Sequence, residues 1–304
     1  MISFLLLLIS IYFVSIYFLY RISPKSYAAD AISGGKYLSF DNGRIYYQDV
    51  GVGDSAILLL HGFNSQMSNW KKLWPELKQN PRTIRLDLPG FGKSEWHTDS
   101  YSLASQGKRV ISLMDELAVS RVTLVGVSMG GSLAAWLAAN YPDRVNALLL
   151  LSPSGYTGSL RYQGALNYLI KPGIINRTAT WLATGNIYKA IFTQSRALQA
   201  LTVTASYGQK WVRDLARITT PTLILWSSGD QRAIYQYAIE VKSRISGSEL
   251  VTVPGTVGHN VVGKCTSLIA KLTTQINQGK SAQSAIEQLK NNSALDPECA
   301  GLIF

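Results

Sequence analysis

The run Gly126-Val127-Ser128-Met129-Gly130 constrains this chain more than any other. It follows Arg121-Val122-Thr123-Leu124-Val125, an apolar, β-branched stretch patterned as a buried strand. It precedes Gly131-Ser132-Leu133-Ala134-Ala135-Trp136-Leu137-Ala138-Ala139, whose Ala and Leu favour a helix. A strand that turns this sharply into a helix strains its central residue and lifts the Ser128 hydroxyl clear of the sheet. Glycine flanks the turn because a Cβ there would strike the strand or the helix. Five loose positions recur by chance; the strand and helix around them give the motif its weight.

A serine hydroxyl is a poor nucleophile without a base to take its proton and an acid to orient that base. Thr222-Leu223-Ile224-Leu225-Trp226 reads as a buried strand, and Asp230 lies in the loop after it, at the end of an α/β sheet where functional groups collect. Asp230 is the candidate acid, and it also suits the N-cap of a helix beginning near Gln231. The chain has three histidines. His259 sits in a Gly-rich loop after the strand Glu249–Val253 and is the candidate base. His61 reads as a structural residue of its loop, and His97 as an exposed loop residue. The order Ser128, Asp230, His259 is that of a strand-mounted catalytic triad. His61-Gly62-Phe63 follows the apolar strand Ala56–Leu60, so the amides of Phe63 and Met129 are the expected oxyanion donors.

With these residues in view, the chain resembles α/β-hydrolase fold serine hydrolases over about residues 37–275. The resemblance rests on His61-Gly62-Phe63, on Asp87-Leu88-Pro89-Gly90-Phe91-Gly92-Lys93-Ser94, on the Ser128 turn, and on the Asp230 and His259 loops. The layout is most similar to membrane-anchored monoacylglycerol lipase-like esterases. That likeness implies cleavage of lipid carboxylic esters without a cofactor, and a structural role for the Asp87–Ser94 turn. One departure stands out. Members of this group carry an acidic residue and a proline shortly after the catalytic histidine, where this chain has Asn260-Val261-Val262-Gly263-Lys264-Cys265.

Strand patterns near 56–60, 83–87, 121–127, 145–151, 222–226 and 249–253 alternate with helix patterns near 68–79, 101–118, 129–140, 231–246 and 264–278. This alternation predicts a doubly wound, mostly parallel sheet. Gly43–Val50 reads as an early strand paired antiparallel at the sheet edge. The expected organisation is a membrane anchor over 1–20, a linker over 21–36, a hydrolase core over 37–154 and 221–279, a helical cap over 155–220, and a tail over 280–304. At 304 residues the chain suits one large domain with an insertion.

Residues 2–20 carry no charge. As a helix they would span roughly 28 Å at ~1.5 Å per residue, which matches a bilayer's hydrocarbon core. A cleaved signal peptide is the rival reading, but no basic segment precedes the apolar run. Arg21 and Lys25 follow the span, which favours a cytoplasmic domain. Cys265 and Cys299 point the other way, because a disulfide stapling the tail suits an oxidising compartment; on balance the domain is expected outside the cytoplasm.

The net charge is +11. No nucleic-acid module accompanies it, so nucleic acid is not an expected partner. Residues 155–220 hold eight Lys/Arg against one acid, Asp214, and so supply +7 of that charge. They also hold Tyr156, Tyr162, Tyr168, Trp181, Tyr188, Phe192, Tyr207 and Trp211. A cap of this composition fits an anionic lipid surface and an apolar acyl channel, or an ordinary lid with a solvated basic face. The histidines and cysteines lack metal-ligand spacing, and no phosphate-binding glycine loop is present, so no cofactor or metal is expected. The expected chemistry is hydrolysis of a monoacylglycerol or similar acyl ester. C–C bond, amide and acyl-transfer reactions use the same triad and stay open. A non-catalytic binding protein would have lost a triad residue, and none is missing.

Overall fold

The computed structural model describes residues 32, 34–41, 43–77, 81–96, 101–156, 203, 207–290 and 297–304. The expected anchor over 1–20, most of the linker and cap, and His97 lie outside them. Among the described residues no helix is long and apolar enough to cross a membrane.

Among the described residues nine strands form one sheet: β1 (Lys36–Phe40), β2 (Gly43–Val50), β3 (Ser55–Leu60), β4 (Thr83–Leu86), β5 (Glu95–Trp96), β6 (Arg121–Val127), β7 (Val145–Leu151), β8 (Thr222–Ser227) and β9 (Glu249–Val253). Their order is β1-β2-β4-β3-β6-β7-β8-β9, with β5 paired to β2. From β4 to β9 all neighbours are parallel, while β1, β2 and β5 pair antiparallel. Strand β2 therefore lies inside the edge where the sequence had put it, because Lys36–Phe40, assigned to the end of the linker and the start of the core, folds back along it as β1.

Alternation along the strands divides the core in two. In β3, Ala56, Leu58 and Leu60 face one apolar layer, and Ile57 and Leu59 face the other. The first layer is covered by α2 (Leu103–Glu116), α3 (Met129–Asn140), α4 (Gln209–Leu215) and α5 (Gln236–Arg244). The second is covered by α1 (Trp74–Leu77), α6 (Val261–Lys264), α7 (Thr266–Asn277) and α8 (Ala282–Lys290).

Three helix expectations change. The helix read over 68–79 is a 3-10 turn, Met67–Trp70, followed by the single turn α1. Pro75 has no N–H to bond back to Lys71, so the two pieces cannot join. The helix read from 231 begins at Gln236, because the Asp230 carboxylate draws the amides of Arg232 and Ala233 into a turn instead. The tail over 280–304 contains α8, which buries Ala282, Ala285, Ile286 and Leu289. Beyond it, Cys299 is disulfide-bonded to Cys265, with Cα atoms 5.6 Å apart. Ile303 then pairs antiparallel with Thr252 through two backbone hydrogen bonds of 2.8 and 3.0 Å. The tail thus covers part of the open edge of β9, which would otherwise leave unpaired backbone groups.

Candidate active site

The parallel strands bring the sequence-selected residues to one edge of the sheet. Ser128 follows β6, Asp230 follows β8, and His259 follows β9, with β7 between the serine and the acid. Ser128 sits at φ 54, ψ −118, a left-handed conformation costly for a residue with a Cβ. Close packing enforces it. A Cβ on Gly126 would run into the backbone of Gly130 and Gly131, and one on Gly130 into the carbonyls of Leu60 and His61. Both ends of Ser128 are tied as well. Its N–H donates to Leu151 O at 2.9 Å, and its carbonyl accepts from the amides of Ser132 at 3.0 Å and Ser154 at 3.2 Å.

His259 and Asp230 are in direct contact, Nδ1 to Oδ2 at 2.7 Å. A carboxylate accepts, so Nδ1 is the donor, and in the neutral ring this tautomer leaves the lone pair on Nε2. The Asp230 side chain is fully buried, and the His259 ring is 18 % exposed. Oδ1 of Asp230 accepts from the amides of Arg232 at 2.9 Å and Ala233 at 3.0 Å. Oδ2 thus faces the candidate base, while Oδ1 holds the Asp230–Ala233 turn rather than the N-cap of the helix expected from Gln231, which begins only at Gln236. The His259 loop is pinned to β8 by Ser227, whose hydroxyl donates to Pro254 O at 2.8 Å and accepts from Gly258 N at 3.0 Å. Among the described residues no hydrogen bond joins Ser128 to His259, a looseness common before substrate arrives.

His61 is a different kind of histidine. It is fully buried, its Nδ1–H donates to Gly62 O at 2.8 Å, and its Nε2 accepts from Leu88 N at 2.9 Å. Burial pushes its pKa down to about 4, against a smaller upward pull from the Gly62 carbonyl. It is neutral at ordinary pH, and both nitrogens are occupied by backbone. The bonds join the His61–Phe63 loop to the turn after β4. That turn is organised by Asp87, which accepts from Met67 N at 2.6 Å and Lys93 N at 2.8 Å. Gly92, at φ +56, leaves room for this carboxylate, whose pKa burial raises.

Gly62 lies against the nucleophile: a Cβ there would stand 3.3 Å from Ser128 Cβ and 3.9 Å from Oγ. The next residue, Phe63, is 38 % exposed and meets Phe91 edge-on at 5.8 Å. Met129 is the first residue of α3, so its amide is an unsatisfied first-turn donor at the positive end of the helix. The loop and the helix start are packed together, as the Gly130 contacts require. Sequence reasoning gave Ser227, Ser132 and Ser154 no role and counted Tyr207 only among the aromatic residues of the expected cap. Ser227 precedes Asp230 by three residues and could have been noticed as the strand's polar last position.

Comparison with known proteins agrees with this architecture. Residues 55–169 match the family described as alpha/beta hydrolase fold. A 2-hydroxy-6-oxononadienedioate/2-hydroxy-6-oxononatrienedioate hydrolase of Escherichia coli O81 (strain ED1a) is 29% identical over 237 residues, covering 68% of this chain and 82% of that protein. A putative lipase from Acinetobacter baumannii AYE superposes with a TM-score of 0.66 at 22% identity, over 81% of this chain and 93% of that one. A membrane phospholipase A, a bacterial virulence factor, superposes at 0.61 with 23% identity, over 96% of this chain and 100% of that one. The chain has the alpha/beta hydrolase fold.

Proposed function

We propose that this chain is a serine hydrolase acting through Ser128, His259 and Asp230. The observation that carries the reading is the division of labour at Asp230. One buried oxygen is held by two loop amides, and the other fixes the His259 tautomer that leaves Nε2 basic. In the proposed reaction Nε2 takes the Ser128 proton as Oγ attacks a carbonyl carbon. The amides of Phe63 and Met129 receive the oxyanion, and Asp230 stabilises the imidazolium. Collapse breaks the scissile bond, His259 protonates the leaving group, and water repeats the sequence on the acyl-enzyme.

Two scissile bonds fit this machinery. The 29%-identical relative is named as a hydrolase of a hydroxy-oxo-dienedioate, which supports a C–C bond whose leaving carbon departs as a stabilised enolate. The uncharged stretch 2–20 and the likeness to a membrane phospholipase A over 96% of this chain support a lipid acyl ester. In the ester reading, residues 1–20 anchor the chain in a bilayer by a single span, and the basic segment 155–220 rests on an anionic surface.

The test is to assay the full-length chain on a 2-hydroxy-6-oxo-dienedioate and on acyl esters from acetyl to oleoyl, including monoacylglycerol and phospholipid. Ser128→Ala serves as the blank. Ser128-dependent loss of the dienolate absorbance assigns the C–C bond. A Ser128-dependent rate rising with acyl length, together with retention in the membrane fraction after alkaline wash, assigns the lipid ester. No Ser128-dependent turnover on either series contradicts the proposal.

A further inference from the structure

Beneath the Ser128 turn runs a buried chain of hydroxyls. Tyr207 OH lies 2.7 Å from Ser154 Oγ, which lies 3.1 Å from Ser132 Oγ. Ser132 Oγ in turn reaches the carbonyl of Ser154 in a short contact, and that of Ser128 at 3.2 Å. A carbonyl can only accept, so the Ser132 hydrogen goes to the carbonyl end. Ser154 then donates to Ser132, and Tyr207 donates to Ser154, with every hydroxyl hydrogen pointing toward the nucleophile's turn. Tyr207 is the head of this chain. It is buried and its pKa is raised to about 12, chiefly by burial, so it keeps its proton.

Tyr207 does not belong to the hydrolase core by sequence position. It stands where the inserted segment returns to the core, just before α4. The segment's other stem is Ser154–Tyr156, after β7. The two stems are locked together: Gly208 N donates to Gly155 O at 2.7 Å, and Tyr156 meets Trp211 edge-on at 5.4 Å. Trp211 Nε1 also donates to Ser132 O at 3.3 Å. A residue at φ 54 keeps that conformation only when its surroundings over-determine it. Here part of the surroundings comes from the stems of the insertion.

We infer that Tyr207, acting through Ser154 and Ser132, is a positioning residue that fixes the Ser128 turn, coupling the stems of the insertion to the reactivity of the nucleophile. The inference rests on the proposed role of Ser128. Removing the Tyr207 hydroxyl leaves Ser154 Oγ without its donor, which loosens the Ser154–Ser132 pair and with it the hydroxyl that Ser132 turns toward the Ser154 and Ser128 carbonyls, so the turn relaxes. Tyr207 touches no reacting atom, so substrate affinity and the titration of the base stay unchanged.

The experiment measures the rate of phosphonylation of the full-length chain by a fluorophosphonate, separating the saturating rate from the half-saturating concentration. Tyr207→Phe and Ser154→Ala should each lower the saturating rate about five- to tenfold, the scale of one buried hydrogen bond. The half-saturating concentration and the pH midpoint should not move. The double variant should be no slower than either single variant, because the chain acts as a unit, and Ser154→Thr, which keeps a hydroxyl, should recover most of the rate. Wild-type rates in Tyr207→Phe, or a double variant whose losses multiply, overturn the inference while leaving Ser128 as nucleophile. No labelling of the wild-type chain overturns both. A lowered melting temperature with an unchanged rate below the transition marks a purely structural tyrosine and overturns the inference alone.

Discussion

Two histidine loops flank the serine turn, and the contrast between them separates scaffold from chemistry. His61 is sealed in the interior with both ring nitrogens bonded to backbone, one to its own loop and one to the turn after β4. His259 has one nitrogen on a buried carboxylate and remains partly open to solvent. The same side chain is a strut in one place and a candidate base in the other. What differs is its partner: peptide groups fix a neutral ring, whereas a carboxylate supports a ring that must become charged during a reaction.

The largest effects should fall on the His259 side. His259→Gln is expected to lower Ser128-dependent turnover by about 10⁴-fold or more, and Asp230→Asn by about 10³–10⁴-fold, with folding retained. Steady-state rates and circular dichroism on the same samples check both. Retention of a tenth of the activity in either variant would break the contrast. His61→Ala should act in the opposite sense. It leaves the buried Leu88 amide unpaired and opens a cavity, so it should cost about 2–4 kcal/mol of stability in denaturant titrations. Turnover of the folded fraction should fall no more than about tenfold, since the oxyanion loop keeps its covalent path.

Acid titration sharpens the same distinction. The folded-state pKa of His61 is depressed to about 4 from an ordinary 6.5. The unfolded chain therefore binds this proton first as pH falls. The contribution is fully present above pH 6.5 and is lost as pH falls through about 4; it amounts to about 3 kcal/mol. Asp87, raised by burial, has the opposite sign and offsets part of the loss. His61→Ala should flatten the wild-type stability profile between pH 6.5 and 4. Identical slopes in the two proteins would contradict the assignment.

The smallest effect on activity should come from the tail. Cys265 lies six residues after His259, and its bond to Cys299 closes a loop that stabilises by about 3–4 kcal/mol on chain-entropy grounds. Cys299→Ser should lower the thermal midpoint yet change turnover below the transition by less than about twofold, because the His259 loop is pinned by Ser227 rather than by the tail. A large loss of turnover at full folding would show that the tail positions the base.

Much of this was legible in the sequence because it is written locally. Buried parallel strands are continuous apolar runs, and β6, β7 and β9 begin and end where their patterns do. Ser128, Asp230 and His259 each follow such a strand, so order alone brings them to one edge. The structural reading of His61 followed from its place directly after β3. What was not legible depends on contacts between distant residues. The chain from Tyr207 to Ser128 joins positions 128, 132, 154 and 207, of which only Ser128 stands at the centre of a motif. Strand β1 is short and straddles the boundary drawn between linker and core, with no strand pattern of its own, and it becomes a strand only because β2 offers it a partner. Helix α8 is a different case: Ala282, Ala285, Ile286 and Leu289 recur at helical spacing, and the signal was there to be read.

The central claim is that His259, oriented by Asp230, activates Ser128. Mass spectrometry of the full-length chain after exposure to a fluorophosphonate tests it at the level of a single residue. The account predicts one adduct, on Ser128, formed by the wild-type chain and suppressed in His259→Gln but not in a folded His61→Ala. An adduct on another serine, or one on Ser128 that forms equally fast without His259, would contradict it.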